Sequence, residues 1–325
     1  MLCGLEEMAR FLREHDNFAV ITHFKPDGDA YGSALGLVHL LRGMEKRAFP
    51  VCDDPVERKY QFLPGWEEFT NVEKGLPFQP DTALGVDVSD ASRMGKSEAL
   101  YRSCPHQAAI DHHASNVGFA PCTLLEAEAA SAGEIVVKLS SYMGEKLTKD
   151  VAQQLYTAIV TDSGNFSFRD TSGDTLRAAA LCVDAGIDVD ELTRRLFRTR
   201  TAAGTRLLGL ALSGYTLCGQ GRVAGLMISE KMFEESGATS ADAHSIVNYM
   251  NEIAGASIGI LCEQAPGVVR ISFRSAGNVD VIPLAQRFDG GGHKAASGAR
   301  VEGGTLEEVF EQVLDAACEY LGVER

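Results

Sequence analysis

Residues 18–30 read FAVITHFKPDGDA, and this stretch decides how the first half of the chain folds. It opens with a run of apolar and β-branched residues, Phe18 to Thr22, which predicts a short buried strand. Apolar residues at helical spacing then predict a helix from Ala30 to Met44. A strand that passes through a short polar segment into a helix is the opening unit of an α/β fold.

The polar segment between this strand and this helix carries His23, Asp27 and Asp29. Pro26 and Gly28 disfavour a regular helix here, so the three side chains are expected to converge from an irregular loop. The helix that follows would direct its amino terminus, which attracts anions, at the same place. An Asp-rich turn that only caps the helix is the alternative.

The same order of elements continues to residue 190. Apolar runs at Ala83–Val88 and Ala108–Ile110 lack polar alternation, which is typical of strands covered on both faces. Helical spacing follows in three later stretches, Ala132–Met143, Lys149–Val160 and Asp174–Ala185. For residues 1–190 we therefore predict a mostly parallel sheet with right-handed crossovers and helices on both faces.

A second, smaller α/β domain is predicted for residues 215–325. Residues 191–214 have few strand signals and are interpreted as a helical linker. Beyond them, strand-like stretches alternate with helix-like ones. The strands are predicted at Arg222–Ser229, Ser257–Glu263 and Val268–Arg274, and the helices at Ala241–Ile253 and Thr305–Leu321.

Two aspartates follow the strand that contains Val86. Asp87 lies nearer to the strand end and is the better candidate for a metal ligand, because a dinuclear site requires a bridging carboxylate. Asp90 fits the N-cap of a helix that begins near Ser92. The two residues are therefore expected to have different roles.

A further polar motif, Asp111-His112-His113, ends the next buried strand. Neutral imidazole is a ligand of Mn, Co, Fe or Zn, and adjacent side chains diverge, so one histidine could bind metal while the other addresses substrate. Asp162 comes at the end of a helical stretch, where a simple carboxyl-terminal turn at Gly164 is the alternative.

These acids and imidazoles mostly follow strand ends, and parallel strands present their carboxyl ends at one edge of a sheet. So many ionisable groups in one place would be intolerable as bare buried charge, and divalent metal ions are the usual remedy. The sequence therefore predicts a two-metal hydrolase. The candidate metal ligands are His23, Asp27, Asp29, Asp87, His112 and Asp162.

The second domain contains three consecutive glycines, Gly290, Gly291 and Gly292, followed by His293. Glycines leave backbone N–H groups open to a phosphate, and Arg274 on a predicted strand could add a charged contact. A flexible turn is the alternative. The neighbouring histidine and the arginine strand favour an anion site.

Composition narrows the range of functions. The chain has 325 residues, 45% hydrophobic and 23% charged, with a formal net charge of −15. An acidic surface disfavours long duplex nucleic acid, which is bound through basic stripes, but allows a short anionic substrate. The eight cysteines show no metal-binding spacing, and no secretory signal or membrane-spanning run is apparent. We therefore expect reduced thiols, no membrane partner and a cytoplasmic location.

The ordered set of motifs resembles the DHH phosphoesterase family, whose name describes Asp111-His112-His113. The segment from Gly290 to Gly298 resembles the DHH-associated C-terminal domain of that family. The resemblance covers nearly the whole chain. Its compact size and residues 161–177, TDSGNFSFRDTSGDTLR, are similar to the branch of nanoRNases and phosphoadenosine phosphate phosphatases.

This resemblance implies a role for each candidate residue. One metal would take His23, Asp27 and Asp87, and the other Asp29, Asp87, His112 and Asp162, so that Asp87 bridges. His113 would face the scissile phosphate, and with Asp87 it forms the predicted catalytic pair. The far end of the substrate would be held by Arg274, Ser272, Gly290, Gly291, Gly292 and His293.

The implied reaction is hydrolysis of short oligoribonucleotides or 3′-phosphoadenosine 5′-phosphate by in-line attack of a metal-bound hydroxide, in a cleft between the domains. Mixed imidazole and carboxylate ligation favours Mn²⁺, with Mg²⁺ or Co²⁺ as alternatives. Cyclic dinucleotides, or their linear products, are alternative substrates. A non-catalytic nucleotide sensor is the alternative from another class, and a homodimer is left open.

Overall fold

The computed structural model describes residues 1–243, 245–275 and 279–325, without the side chain of His293. These residues divide into two compact units, Met1–Thr199 and Arg200–Arg325. No helix among them is long and apolar enough to cross a bilayer.

The first unit is built on a sheet whose paired strands all run parallel, in the order β1-β6-β5-β4-β2-β3. Its described strands are β1 Leu2–Cys3, β2 Phe18–Ile21, β3 Ala48–Val51, β4 Thr82–Val86, β5 His106–Asp111 and β6 Cys122–Leu125. Its described α-helices are α1 Leu5–Glu14, α2 Gly28–Gly43, α3 Glu98–Ser103, α4 Ala132–Met143, α5 Lys149–Asp162, α6 Gly173–Asp184 and α7 Val189–Phe197. Short 3₁₀ turns occur at Arg58–Tyr60, Trp66–Glu68 and Ala91–Ser97.

Helices cover both faces of this sheet, as predicted. Along β2, Phe18 and Val20 point into one buried cluster, which includes apolar residues of α2, α4 and α5. Ala19 and Ile21 point into a second cluster, which includes Tyr101 of α3. Because successive side chains of a strand face opposite sides, a strand that is apolar throughout needs cover on both.

Three glycines on α2, spaced four residues apart, allow it to pack very closely against α5. A Cβ atom on Gly28 would lie 2.4 Å from the hydroxyl oxygen of Thr161, and one on Gly32 would lie 2.4 Å from the carbonyl oxygen of Gln154. A Cβ on Gly36 would meet Leu155 at 2.5 Å. The backbones of the two helices are therefore in near contact, and the start of α2 lies beside the end of α5.

The second unit contains a mixed sheet in the order β11-β12-β10-β9-β8-β7, in which β8 and β9 pair in parallel and the other pairs are antiparallel. Its described strands are β7 Thr216–Cys218, β8 Val223–Ile228, β9 Ile258–Ala265, β10 Val268–Ser275, β11 Gly291–His293 and β12 Ala296–Glu302. Its described helices are α8 Ala202–Ser213, α9 Glu230–Ser236, α10 Ser240–Ala243, α11 Asn248–Asn251, α12 Ile282–Gln286 and α13 Leu306–Leu321.

The continuous helix predicted from Ala241 to Ile253 is wrong. Two short helices, α10 and α11, replace it within the described residues. Ile246, Val247 and Met250 are all buried in one cluster between the sheet and α8. Tertiary packing of these side chains, two of them β-branched, outweighs the helical spacing.

Candidate metal centre

The six predicted metal ligands and His113 gather at the carboxyl edge of the parallel sheet. His23 follows β2, Asp87 follows β4, and the two histidines follow β5. Helix ends supply the remaining groups, because Asp29 lies in the first turn of α2 and Asp162 is the last residue of α5. The close packing of α2 on α5 therefore brings these two carboxylates to the same edge.

Ligand atoms of the seven residues form three overlapping groups. Within each group the candidate atoms all lie within 4.8 Å of one another. Asp87 belongs to two groups and so does His112, so the three groups are continuous. The groups are Asp87, His112 and His113; His23, Asp27 and Asp87; and Asp29, His112 and Asp162.

The predicted irregular loop around Asp27 is shorter than expected, since α2 already begins at Gly28. The Oδ1 atom of Asp27 accepts hydrogen bonds from the amides of Asp29, at 3.0 Å, and Ala30, at 3.1 Å. Asp27 is therefore the N-cap of α2 as well as a member of a candidate ligand group. The capping role and the ligand role, which the sequence presents as alternatives, are compatible here because one oxygen caps the helix and the other is left for a metal ion.

Asp29 is buried and held by a cradle of donors. Its Oδ1 accepts from the hydroxyl of Ser33 at 2.6 Å and from the amide of Gly133 at 3.0 Å, and its Oδ2 accepts from the amide of Ala132 at 2.7 Å. The last two donors are the first two amides of α4, which lack partners within their own helix. A carboxylate is favoured at this positive helix end.

Asp87 lies at the centre of the site. It is 3% exposed and adopts a φ of +55°. One of its oxygens lies 3.5 Å from Nε2 of His23, and the other lies 3.6 Å from both Nε2 of His112 and Nδ1 of His113. This central position is what a bridging carboxylate requires.

Backbone carbonyls orient two of the histidines. Nδ1 of His23 lies 2.8 Å from the carbonyl oxygen of Phe24, and Nδ1 of His112 lies 3.2 Å from that of Ala129. With Nδ1 directed at a carbonyl oxygen, each ring turns its Nε2 atom towards the carboxylates. Nε2 of His112 lies 3.2 Å from Asp162 and 3.7 Å from Asp29. This is the arrangement expected of metal-binding imidazoles.

His113 is oriented by a side chain instead. Its Nδ1 lies 2.8 Å from Oδ1 of Asp111, which is fully buried, and Oδ2 of Asp111 accepts from Nδ2 of Asn116 at 2.7 Å. The hydrogen bond to Asp111 raises the pKa of His113 and outweighs the opposing effect of burial. Its side chain is 36% exposed, which leaves His113 the most accessible of the three histidines.

The site holds more negative charge than it can easily bury. Burial, and then the charge of Asp87, raises the pKa of Asp29 to about 7. Burial and the charge of Asp29 raise the pKa of Asp162 to about 9, and burial and Asp87 also raise the pKa of Asp27. Burial acts on Asp87 in the same direction, but hydrogen bonds from His112 and His23 hold its pKa below the usual range.

The same carboxylates raise the pKa values of two histidines. Burial favours neutral imidazole, but the hydrogen bond and charge of Asp87 raise the pKa of His23 to about 9. Asp87, together with the charges of Asp29 and Asp162, raises the pKa of His112 to about 10 against the effect of burial. Protonation of these rings therefore supplies positive charge that partly offsets the negative charge of the carboxylates.

Divalent metal ions fit these residues. The donor set consists of imidazole nitrogens and carboxylate oxygens that are close enough together to bind the same ion. A bound cation would offset the negative charge of the carboxylates. Asp90, in contrast, lies outside the three groups and accepts from the amide of Ser92 at 2.8 Å. The predicted helix-capping role of Asp90 is thus confirmed.

The predicted substrate-binding residues lie together in the second unit. In the sheet, Ser272 pairs with Gly298, which in turn pairs with Gly291, so that β10, β12 and β11 are adjacent in that order. Arg274 lies on the same face of β10 as Ser272; it is partly buried, and burial lowers its pKa. Gly290 precedes β11. The backbone of His293 lies in β11, but its side chain is outside the described residues.

Glycine is required at two of these positions. A Cβ on Gly290 would lie 2.2 Å from the carbonyl oxygen of Gly298, and one on Gly292 would lie 2.7 Å from that of Ala296. Gly292 also has a φ of +143°, which other residues rarely adopt. Packing therefore requires glycine at two positions of the triplet, whereas a Cβ on Gly291 would meet no atom within 4 Å.

Sequence reasoning missed the residues that support the ligands. The sequence shows Asp111 only as part of a motif, and it does not reveal the roles of Asn116, Ser33 and the first turn of α4. The one available signal was Ser131, whose position before an apolar run marks the start of α4. Which side chain that helix end would face depends on tertiary structure.

Fold and site together define an α/β protein with a candidate metal centre at the edge of a parallel sheet. Residues 17–159 match the DHH family N-terminal domain, and residues 220–322 match the DHHA1 domain. The chain belongs to the DHH family.

Two curated relatives share nearly the full length. A Thermus thermophilus protein described as bifunctional oligoribonuclease and PAP phosphatase NrnA is 32% identical, over 93% of this chain and 89% of the relative. A Bacillus subtilis protein of the same description is 29% identical, over 91% of this chain and 92% of the relative.

A solved structure confirms the fold. An exopolyphosphatase-related protein from Bacteroides fragilis superposes with a TM-score of 0.89 at 24% identity, covering 98% of this chain and 97% of that protein.

Proposed function

We propose that this chain is a phosphoesterase that hydrolyses oligoribonucleotides of a few residues, 3′-phosphoadenosine 5′-phosphate, or both. The observation that carries the proposal is the set of three ligand groups, one of which shares Asp87 with the second group and His112 with the third. Two relatives of nearly the same length, described as oligoribonuclease and PAP phosphatase, support the choice of substrate.

Two divalent ions would be held at this edge. His23, Asp27 and Asp87 would bind one, while the other would be bound by Asp29, Asp87, His112 and Asp162. Imidazole in both sets favours Mn²⁺ over Mg²⁺, which prefers oxygen ligands alone. When bound, such a pair lowers the pKa of water and offsets the charge that develops on a phosphoryl group.

The chain itself would orient the substrate. His113 is the accessible imidazole of the site, and the bond from its Nδ1 to Asp111 leaves Nε2 to contact a phosphate oxygen. A raised pKa keeps more of this imidazole protonated, which suits contact with an anion. Asp111 would act through His113 and is therefore a positioning residue.

The second unit would bind the part of the substrate that does not react. Arg274 offers the charged fork that suits phosphate, and the glycine-rich strand β11, at the edge of its sheet, would allow a phosphate to approach the backbone closely. Ser272 adds a hydroxyl on the same face of the sheet as Arg274. Such remote contacts would select nucleotides over small generic phosphodiesters.

The test is a substrate panel with the full-length chain, stripped with EDTA and reloaded with Mn²⁺, Mg²⁺ or Co²⁺. We expect metal-dependent kcat/KM to be highest with Mn²⁺, and higher for dinucleotides through pentanucleotides or for phosphoadenosine phosphate than for a 24-mer. Preferred hydrolysis of a cyclic dinucleotide would overturn the substrate assignment. Tight nucleotide binding without turnover in any metal would identify a sensor instead.

The state of the cysteines indicates the cellular compartment. All eight are free thiols. Free thiols are typical of a reducing compartment, and we place the protein in the cytoplasm on this ground.

A further inference from the structure

Residues 129–134, which we call the backing segment, contact two of the candidate metal ligands. The carbonyl oxygen of Ala129 lies 3.2 Å from Nδ1 of His112. The amides of Ala132 and Gly133 donate to the two oxygens of Asp29. One short stretch of backbone therefore orients an imidazole and a carboxylate that come from distant parts of the chain.

Local sequence makes this stretch turn into α4. Ser131 is the N-cap, and its hydroxyl accepts from the amide of Glu134 at 3.1 Å. Gly133 must be small, since a Cβ there would lie 2.4 Å from Cβ of Ala158 on α5. Both features fix where α4 begins, and the amide of Ala129 donates to the carbonyl oxygen of Glu126 at 3.0 Å, but none of these contacts restrains Ala130.

The Glu134 carboxylate supplies that restraint. It is fully buried, and its Oε2 accepts from the amide of Ala130 at 3.0 Å and from the hydroxyl of Thr175 at 2.7 Å. Its Oε1 forms an ion pair with Nζ of Lys138 at 2.7 Å. A glutamate at this helix position usually returns to the amide of the N-cap. Here it reaches one residue further, to Ala130.

Thr175 connects Glu134 to another helix of the first unit. It lies in the first turn of α6, shortly after the segment that leaves Asp162. Glu134 therefore ties the backing segment to the start of α6. The backing segment contacts His112 and Asp29, and α6 comes after Asp162 in the chain.

We infer that Glu134 is a positioning residue for the metal centre: its carboxylate holds the backing segment, and through it Asp29 and His112, in the arrangement that binds a divalent ion. This inference rests on the proposed function. Glu134 itself belongs to none of the three ligand groups of the described residues. Partners of metal ligands typically contribute about 10- to 100-fold to metal affinity.

The experiment measures Mn²⁺ affinity by titration of the EDTA-stripped full-length chain, alongside kcat/KM and thermal unfolding. Glu134→Ala removes the acceptor, and we expect Mn²⁺ affinity to fall by about 10- to 100-fold. Glu134→Gln keeps an oxygen for Ala130 and should recover most of that loss. Glu126→Gln is the matched control, because Glu126 shares Lys138 as a partner at 2.8 Å and has no side-chain bond to the backing segment among the described contacts.

Thr175 provides a second pair of variants in case Glu134→Ala does not fold. Thr175→Val removes the hydroxyl at nearly constant volume and should weaken Mn²⁺ binding, whereas Thr175→Ser should restore it. Folded Glu134→Ala or Thr175→Val protein that binds Mn²⁺ as tightly as the wild type would overturn the inference. A wild-type chain that neither binds divalent ions nor hydrolyses phosphoesters would instead overturn the proposed function.

Discussion

Asp87 combines a central position with an unusual backbone conformation. Its φ of +55° is in the left-handed region, where aspartate and asparagine are tolerated far better than most other non-glycine residues. Its amide donates to the carbonyl oxygen of Ile110 at 3.0 Å, which fixes this geometry. The left-handed backbone conformation at position 87 thus favours a short polar side chain, and the proposed metal binding requires a carboxylate there.

Asp87→Asn separates these two requirements. Asparagine keeps the size and the left-handed conformation, so the fold should survive, but the bridging charge is lost. Loss of a residue that only supports a metal ligand costs up to about 100-fold in activity. Because Asp87 is itself a proposed ligand, we expect kcat/KM with Mn²⁺ to fall by at least that much. Asp90→Asn, three residues along, is the control and should retain activity. Undiminished turnover in Asp87→Asn would remove Asp87 from its bridging role.

Protonation of the site predicts how stability depends on pH without metal. The pKa values of His23, His112 and Asp162, at about 9, 10 and 9, are above their usual values, so the folded state binds more protons than the unfolded chain. The histidine contribution is complete below about pH 6.5 and is lost as pH rises through 9 to 10. The raised carboxyl values act in the same direction.

We therefore expect the free energy of unfolding in EDTA to decrease steadily from pH 6 to pH 9. Mn²⁺ should flatten this dependence, because a bound cation replaces the protons. Urea unfolding at several pH values, with and without the ion, measures both effects. A stability in EDTA that rises with pH over this range would contradict the assigned protonation.

The ligands and their supports differ in how far the sequence reveals them. His23, Asp87 and His112 were predictable because each follows a recognisable apolar run, and strand ends collect at one edge. The partnership of Asp29 with the first turn of α4 was not predictable, since it joins residues about a hundred positions apart. Ser131 and Glu134 have the spacing of a capping box, but the bonds of Glu134 to the amide of Ala130 and to Thr175, 41 positions away, depend on tertiary structure.

At the scale of elements, the contact between α2 and α5 decides the geometry of the site. Gly28, Gly32 and Gly36 leave no Cβ atom at three positions where α2 packs against α5. The contact places the first turn of α2, with Asp29, beside the last turn of α5, with Asp162. A wider spacing would move these two carboxylates apart.

Gly32→Ala tests this contact. The added methyl group would lie 2.4 Å from a backbone oxygen, so the helices must separate, and we expect a loss of about 1–3 kcal/mol in the free energy of unfolding. Gly43→Ala in the same helix meets no atom within 4 Å and should be neutral or stabilising. Urea denaturation measures both. Equal effects of the two substitutions would show that the close contact is unimportant.

Helices were predicted well where apolar residues recur at helical spacing over several turns. The helix predicted at Ala132–Met143 has the observed bounds, and that at Lys149–Val160 extends only to Asp162. The strands β3 (AFPV) and β6 (CTLL) were missed because, unlike the equally short β2 (FAVI), neither is an uninterrupted run of apolar, β-prone residues. Burial alone makes them strands, and burial is a property of the assembled sheet.

At the scale of the whole molecule, the net charge of −15 opposes the approach of polyanions. A short substrate then depends on a few local cations. Arg274 is suited to this role, because it is partly buried and its Nη1 is held 2.9 Å from the carbonyl oxygen of Phe273. A restrained arginine loses little conformational freedom when a phosphate binds.

Arg274→Ala should lower kcat/KM for a trinucleotide by about 10- to 100-fold, the effect of one charge-assisted hydrogen bond. Hydrolysis of a small diester such as bis(p-nitrophenyl) phosphate should be nearly unchanged. Arg300→Ala removes the same charge from the same face of the sheet and serves as the control. Equal losses on both substrates would exclude a remote binding role for Arg274.

The glycine contact between α2 and α5 has a consequence for ion selectivity. Ions of different ionic radius require different ligand spacings, and side chains on long, adaptable loops would adjust to each. Here two of the candidate ligands, Asp29 and Asp162, lie at the ends of helices that pack closely through glycines. If divalent ions bind here, the packing of α2 on α5 would restrict the spacing of two of their ligands, so residues outside the ligand groups would contribute to discrimination between cations.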